Sequence, residues 1–144
     1  MIDKAWKKTL EQLGTDTQEL QMADCYKRLT DADEWCDELE LTSERGFCLM
    51  FDIKVQNGKL FKVDQKAGVD VKASIIERFK DIKPGDEETK LVVVAEERSN
   101  AAMQKWRAAV LARKMAIARG EGTVHGQHLS MDEFGITMST YYLG

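Results

Sequence analysis

Gly46-Phe47-Cys48-Leu49-Met50-Phe51-Asp52-Ile53-Lys54-Val55-Gln56-Asn57-Gly58-Lys59-Leu60-Phe61-Lys62-Val63 is the stretch whose reading decides the fold. Phe47, Leu49, Phe51, Ile53 and Val55 recur every second residue, with Asp52, Lys54 and Gln56 among the positions between them. That is the pattern of a strand buried on one face. Asn57-Gly58 is a turn signal, and Leu60, Phe61 and Val63 continue as a second strand. A two-residue loop would set Ile53 against Lys62 and Phe51 against Asp64. A three-residue loop, Gln56-Asn57-Gly58, pairs Ile53 with Phe61 and Phe51 with Val63 and keeps apolar residues together. The expectation is a β-hairpin over residues 47–56 and 59–65.

A lone hairpin needs a further strand or a helix to be stable. Residues 90–95, with three consecutive valines, supply that third strand in this reading, although Asp86-Glu87-Glu88 would also start a helix. Three short amphipathic helices precede the hairpin. The first spans residues 2–13 and stops at Gly14; the second spans 16–29; the third begins at Thr30 or Asp31 and carries Ala32, Trp35, Cys36 and Leu39 on its apolar side. A helix over 71–82, capped by Asp70, ends before Pro84-Gly85. A long alanine-rich helix over 101–119, capped by Ser99 or Asn100 and closed by Gly120, packs on the sheet. The fold class is α+β in one compact domain, with a glycine-rich, aromatic tail over 120–144.

The 144 residues are 43% hydrophobic and 32% charged, with one proline, a composition that buries a core. There is no apolar run of the roughly 18 residues a membrane helix needs, and Met1-Ile2-Asp3-Lys4 opens no signal peptide. A cytoplasmic chain with no membrane partner is expected. Cys25, Cys36 and Cys48 lack the spacing of a zinc or redox motif and read as free, partly buried thiols.

His125 and His128, followed by Asp132 and Glu133, could hold a metal on paper, but Gly120, Gly122 and Gly126 make that segment a poor rigid support. Glu34-x-x-Asp37-Glu38, with Glu96-Glu97 and Asn100, resembles the paired acidic helices that hold magnesium in all-helical nucleotide pyrophosphatases. Those first acids nevertheless lie opposite Trp35 and Leu39, as on a solvated face. There is no Gly-x-Gly-x-x-Gly, no phosphate-loop lysine and no His-Glu-x-x-His. The expectation is a protein without a cofactor or resident metal.

Charge is segregated. Residues 1–97 hold 15 basic and 22 acidic side chains, residues 98–120 hold 6 basic and none acidic, and residues 121–144 hold 3 acidic. On one helix Arg98, Lys105, Arg113 and Arg119 would share an arc of about 120°, with Met103, Trp106, Val110 and Ile117 on another arc facing the core. Such a stripe suits phosphates or an acidic partner, or is neutralised by the acidic segment between Asp16 and Arg45. Gly135-Ile136-Thr137-Met138-Ser139-Thr140-Tyr141-Tyr142 resembles the turn and second-helix start of helix-turn-helix proteins, which would imply DNA contact. The other reading is a terminal strand with Phe134, Ile136, Met138 and Tyr142 on one face.

The leading expectation is a non-enzymatic regulatory or assembly protein. It binds a protein partner, or itself, through Arg98, Lys105, Arg113 and Arg119 and through the tail residues Phe134, Tyr141, Tyr142 and Leu143. Direct DNA or RNA binding by residues 98–119 is the alternative, and a metal-dependent hydrolase the third. The composition fits the small accessory proteins of phages and mobile elements.

Overall fold

The computed structural model describes residues 15–143, with side chains from residue 22 onward. The helix expected over 2–13 lies outside the described residues. In chain order the elements are α1 (Thr15–Leu39), α2 (Glu44–Asn57), the short strands β1 (Val63–Asp64) and β2 (Val69–Asp70), α3 (Val71–Phe79), α4 (Glu87–Asn100), α5 (Arg107–Arg119), and the hairpin β3 (Glu121–Val124) and β4 (Gln127–Ser130). Helix and sheet are mixed, but the sheets are two separate antiparallel pairs on a mainly helical body.

The deciding stretch is helical. Leu49, Met50 and Ile53 are fully buried and, with Gly46, follow the i, i+3, i+4, i+7 spacing of a helix face. Phe47, Phe51 and Val55, four apart, form a second stripe offset by two positions from Leu49 and Ile53. Two stripes so offset imitate strand alternation, and that is why the expected strand over 47–56 is overturned. Ser43 caps the helix, its Oγ accepting from the Gly46 N–H at 2.9 Å. Asn57-Gly58 ends it instead of turning a hairpin: Gly58, at φ 78°, donates its N–H to the carbonyls of Ile53 and Lys54. The expected strand over 59–65 shrinks to Val63–Asp64, with Val63 opposite Asp70 and not Phe51.

The expected strand over 90–95 is likewise α4. Leu91, Val94, Ala95, Arg98 and Ser99 are buried at i, i+3, i+4, i+7 and i+8, so packing overrides the valines' strand preference. Asp86 starts the helix, accepting from the Thr89 N–H and hydroxyl at 3.2 and 2.6 Å. The helices expected over 16–29 and 30–39 are one, α1. Thr30 caps nothing; its hydroxyl bonds back to the Tyr26 carbonyl at 2.8 Å and the helix continues. The helix over 71–82 is realised as α3, with Asp70 accepting from the Ala73 N–H. That over 101–119 is realised only as α5 after a 3-10 turn at Gln104–Trp106, and Arg98 belongs to α4.

The core lies where α1, α2, α4 and α5 meet: Cys36 and Leu39, Leu49 and Ile53, Leu91 and Val94, Ile117 and Ala118. Cys36 is buried there, which pushes its thiol up to about 12; it is a packing residue. α5 turns through Gly120 (φ 93°) into β3, which packs back on α5 so closely that a Cβ at Gly122 would stand 3.0 Å from the Ala116 Cβ.

After β4 the chain forms neither a strand nor a second helix. A 3-10 turn at Asp132–Phe134 ends at Gly135, and the helix-turn-helix reading fails because no helix follows. Instead residues 136–141 strap across the start of α2. The Glu44 and Arg45 N–H groups, orphaned at a helix N-terminus, donate to the Ser139 and Thr137 carbonyls at 2.8 and 2.9 Å, and the Tyr141 N–H donates to the Thr42 carbonyl.

Glu87 secures the same end from the other side. Its carboxylate accepts from the N–H and hydroxyl of both Thr42 and Ser43, the shortest being Ser43 Oγ at 2.6 Å. Burial raises the Glu87 pKa, but those hydrogen bonds outweigh it and the carboxyl titrates below its ordinary value. A depressed carboxylate pKa contributes stability that is complete above the unfolded value of about 4.3 and is lost as pH falls through the folded value. Thermal unfolding of Glu87→Gln should therefore show a deficit against the parent at pH 6 that narrows by pH 3. An equal deficit at both values would contradict this role.

Candidate basic cleft and adjoining groove

The first cleft, of ≈ 470 Å³, opens between the C-terminal ends of α2 and α4, the 101–106 connection and α5. Lys62, Arg98, Arg113 and Lys114 line it, together with His125, Met103, Trp106 and Val110. No acidic side chain among the described residues lines it.

Lys114 is only 1% exposed and Arg98 5% exposed, so two cations are buried side by side. Asp52, buried on α2, answers the first: Lys114 Nζ stands 3.0 Å from Oδ2, while Arg113 Nε donates to Oδ1 at 2.6 Å. Arg98 has no carboxylate partner among the described residues. Its Nε donates to the Lys59 carbonyl at 2.8 Å and its Nη1 is buried without a hydrogen-bond partner. Desolvation lowers the pKa of Arg98. Desolvation also lowers that of Lys114, against the opposing pull of Asp52. Lys62 Nζ donates to the Ala101 carbonyl at 2.7 Å, tying β1's approach to the end of α4.

Two further depressions continue from this cleft along α2. The second, of ≈ 280 Å³, shares Arg113 with the first and adds Cys48, Phe51, Val55, Ile117 and Ile136. The third, of ≈ 330 Å³, shares Cys48, Phe51 and Ile136 with the second and ends at Tyr141, Tyr142 and Leu143. The three depressions follow one another along α2, each with lining residues in common with the next, and together form a grooved face that is basic at the Arg113 end and aromatic at the other. Burial holds the Cys48 thiol at about 11, so it lies protonated and apolar in the floor.

The four basic residues read as one stripe are thus separated. Arg98 is buried on α4, Arg113 is held by Asp52, Lys105 stands over the Trp106 ring at 5.0 Å, and Arg119 is exposed in the last turn of α5 outside the cleft. Met103 and Trp106, expected to face the core, are 65% and 55% exposed. Their segment precedes α5 as a 3-10 turn, so the helical wheel does not apply to it. In the tail, Phe134 is exposed away from the groove, Tyr141 is half-buried against Phe47 with ring centroids 4.8 Å apart, and Tyr142 and Leu143 are exposed at the rim. His125 sits at the β3–β4 turn and reaches the first cleft, while His128 faces Glu121 at 3.8 Å. Glu96 and Glu97 both bind Arg78, Glu38 binds Lys72, and among the described residues no three His, Cys, Asp or Glu side chains form a group that could hold a metal ion.

Lys62, Lys114 and Asp52 were not among the sequence candidates. Lys114 carried a signal, since it lies four residues after Val110 and three before Ile117, on the apolar arc of its helix. A lysine there requires a buried carboxylate. The chain matches no protein-family model, no curated protein and no solved structure. No helix among the described residues is long and apolar enough to cross a membrane.

Proposed function

We propose that this is a non-enzymatic regulatory or assembly protein that holds a segment of a partner protein in the groove along α2. The segment is apolar over most of its length and acidic at one end. The observation that carries this reading is the succession of three depressions with lining residues in common, which runs from the basic residues of α5 to the aromatic tail. Val55, Trp106, Tyr142 and Leu143 remain exposed along it, an apolar load that favours a covering partner. Charge complementarity favours the acidic end of such a segment lying against Arg113 and Lys62.

Duplex nucleic acid is supported less well, because Arg98 is buried on a different helix and Arg113 is already paired with Asp52, which breaks up the exposed stripe that phosphates would need. Affinity capture from nuclease-treated host lysate tests the reading. The parent chain should retain a discrete protein that Val55→Asp and Arg113→Glu each lose, while Lys80→Glu on the far surface keeps it. Capture that survives both groove variants, recovery only of a second copy of this chain, or capture abolished by nuclease would each overturn it.

A further inference from the structure

We propose that the first cleft is a binding site for a phosphomonoester carried on a flat ring, of the nucleoside monophosphate class. The site is the basic end of the groove, where a nucleotide and the partner's acidic end would compete, but the observations for it are its own. Four cations line the cleft, and Asp52 answers only Lys114 and Arg113. Arg98 remains a buried guanidinium with a carbonyl on Nε and nothing on Nη1. Leaving a buried charge without a counter-charge is costly, and an anion in the cleft removes that cost.

The charge balance selects the anion. Three positive charges remain after Asp52 is counted, and a phosphomonoester carries about −1.5 to −2 at pH 7, where a carboxylate carries only −1. Its three terminal oxygens suit the forked Nη donors of Arg98 and Arg113 and the ammonium of Lys62. Met103, Trp106 and Val110 add an apolar part to the lining; Lys105 Nζ stands 5.0 Å over one face of the half-exposed Trp106 indole, and a planar base can stack on the other. A volume of ≈ 470 Å³ lies within the range of small-ligand pockets, roughly 300–1,000 Å³.

Titration calorimetry of the full chain at low ionic strength, with adenosine 5′-monophosphate, inorganic phosphate and adenosine as probes, tests the assignment. The nucleotide should bind one per chain, about 10-fold tighter than inorganic phosphate, as one stacked base contributes, and adenosine should give no heat. Arg98→Gln should weaken nucleotide binding by about 10-fold or more, the worth of a lost charge-assisted hydrogen bond. Lys62→Gln, at a half-buried position where the amide can still donate to the Ala101 carbonyl, should weaken it in the same direction. Trp106→Ala should weaken the nucleotide and leave inorganic phosphate unchanged. Val55→Asp, which blocks the partner groove, should leave nucleotide binding intact, so the two readings fail separately. No heat from either anion with the parent chain, or parental affinity in both Arg98→Gln and Lys62→Gln, would overturn the site.

Discussion

Asp52→Leu should destabilise the protein by about 3–5 kcal/mol, the usual consequence of stranding a buried charge. Asp52 is the carboxylate that answers Lys114, which is 1% exposed and has Arg98 as a like-charged neighbour. For a chain of this length the loss corresponds to a fall in melting temperature of about 10 °C or more. Its pH dependence has a definite sign. Without Asp52 the folded Lys114 pKa sinks further below its unfolded value, so the unfolded state binds more protons and stability rises with pH. The variant should therefore regain part of its loss between pH 7 and pH 10. Adding Lys114→Met should recover most of it at pH 7, because a buried ion pair replaced by apolar groups of similar volume is often neutral. Thermal unfolding followed by circular dichroism measures all three, and a double variant no more stable than Asp52→Leu would contradict the pairing.

Tyr141→Ala should cost about 2–4 kcal/mol, whereas removal of residues 142–144 should change stability by no more than about 0.5 kcal/mol. Tyr141 packs on Phe47, donates its hydroxyl to Asp33 at 2.6 Å and so ties the tail to both α1 and α2. Tyr142, 86% exposed, makes no such anchor. From the sequence, Tyr141, Tyr142 and Leu143 are expected to act together as one partner-binding surface. The structure divides them: Tyr141 holds the strap, and Tyr142 and Leu143 line the rim. Urea unfolding of the two variants separates these roles, and equal losses in both would show that the strap is not held by Tyr141.

Local signals in the sequence were read well where one residue decides them. Asp70 caps α3 and Gly120 ends α5 because each acts through its own backbone or side-chain geometry. Apolar residues on two sides of a helix hide its period. In α2 the Phe47–Phe51–Val55 stripe interleaves with Leu49–Ile53, and in α4 three valines sit in a helix whose Leu91, Val94 and Ala95 all face the core. Asn57-Gly58 compounded the error, since a left-handed glycine serves a helix stop as well as a hairpin turn. Capping could have decided both cases: Ser43 three residues before Gly46, and Asp86 three before Thr89, are helix starts.

The site was legible only as composition. An acid-free segment from 98 to 120 pointed to the right part of the molecule, and Arg98, Arg113 and His125 do line the cleft. Their grouping depended on the break at 101–106, which puts Arg98 and Arg113 on different helices, and on Asp52 arriving from α2, more than 60 residues away. Neither can be read from spacing along one helix.

Photocrosslinking from single positions in the full chain, in native host lysate, tests the claim that the α2 groove is the binding face. A photoreactive phenylalanine analogue replaces Val55 in the groove, Tyr142 at its rim, or Lys80 beyond α3, and adducts are weighed by mass spectrometry. One protein should crosslink from positions 55 and 142 and not from 80, and Arg113→Glu should abolish both adducts. No adduct from the groove, or the same adduct from position 80, would contradict the account.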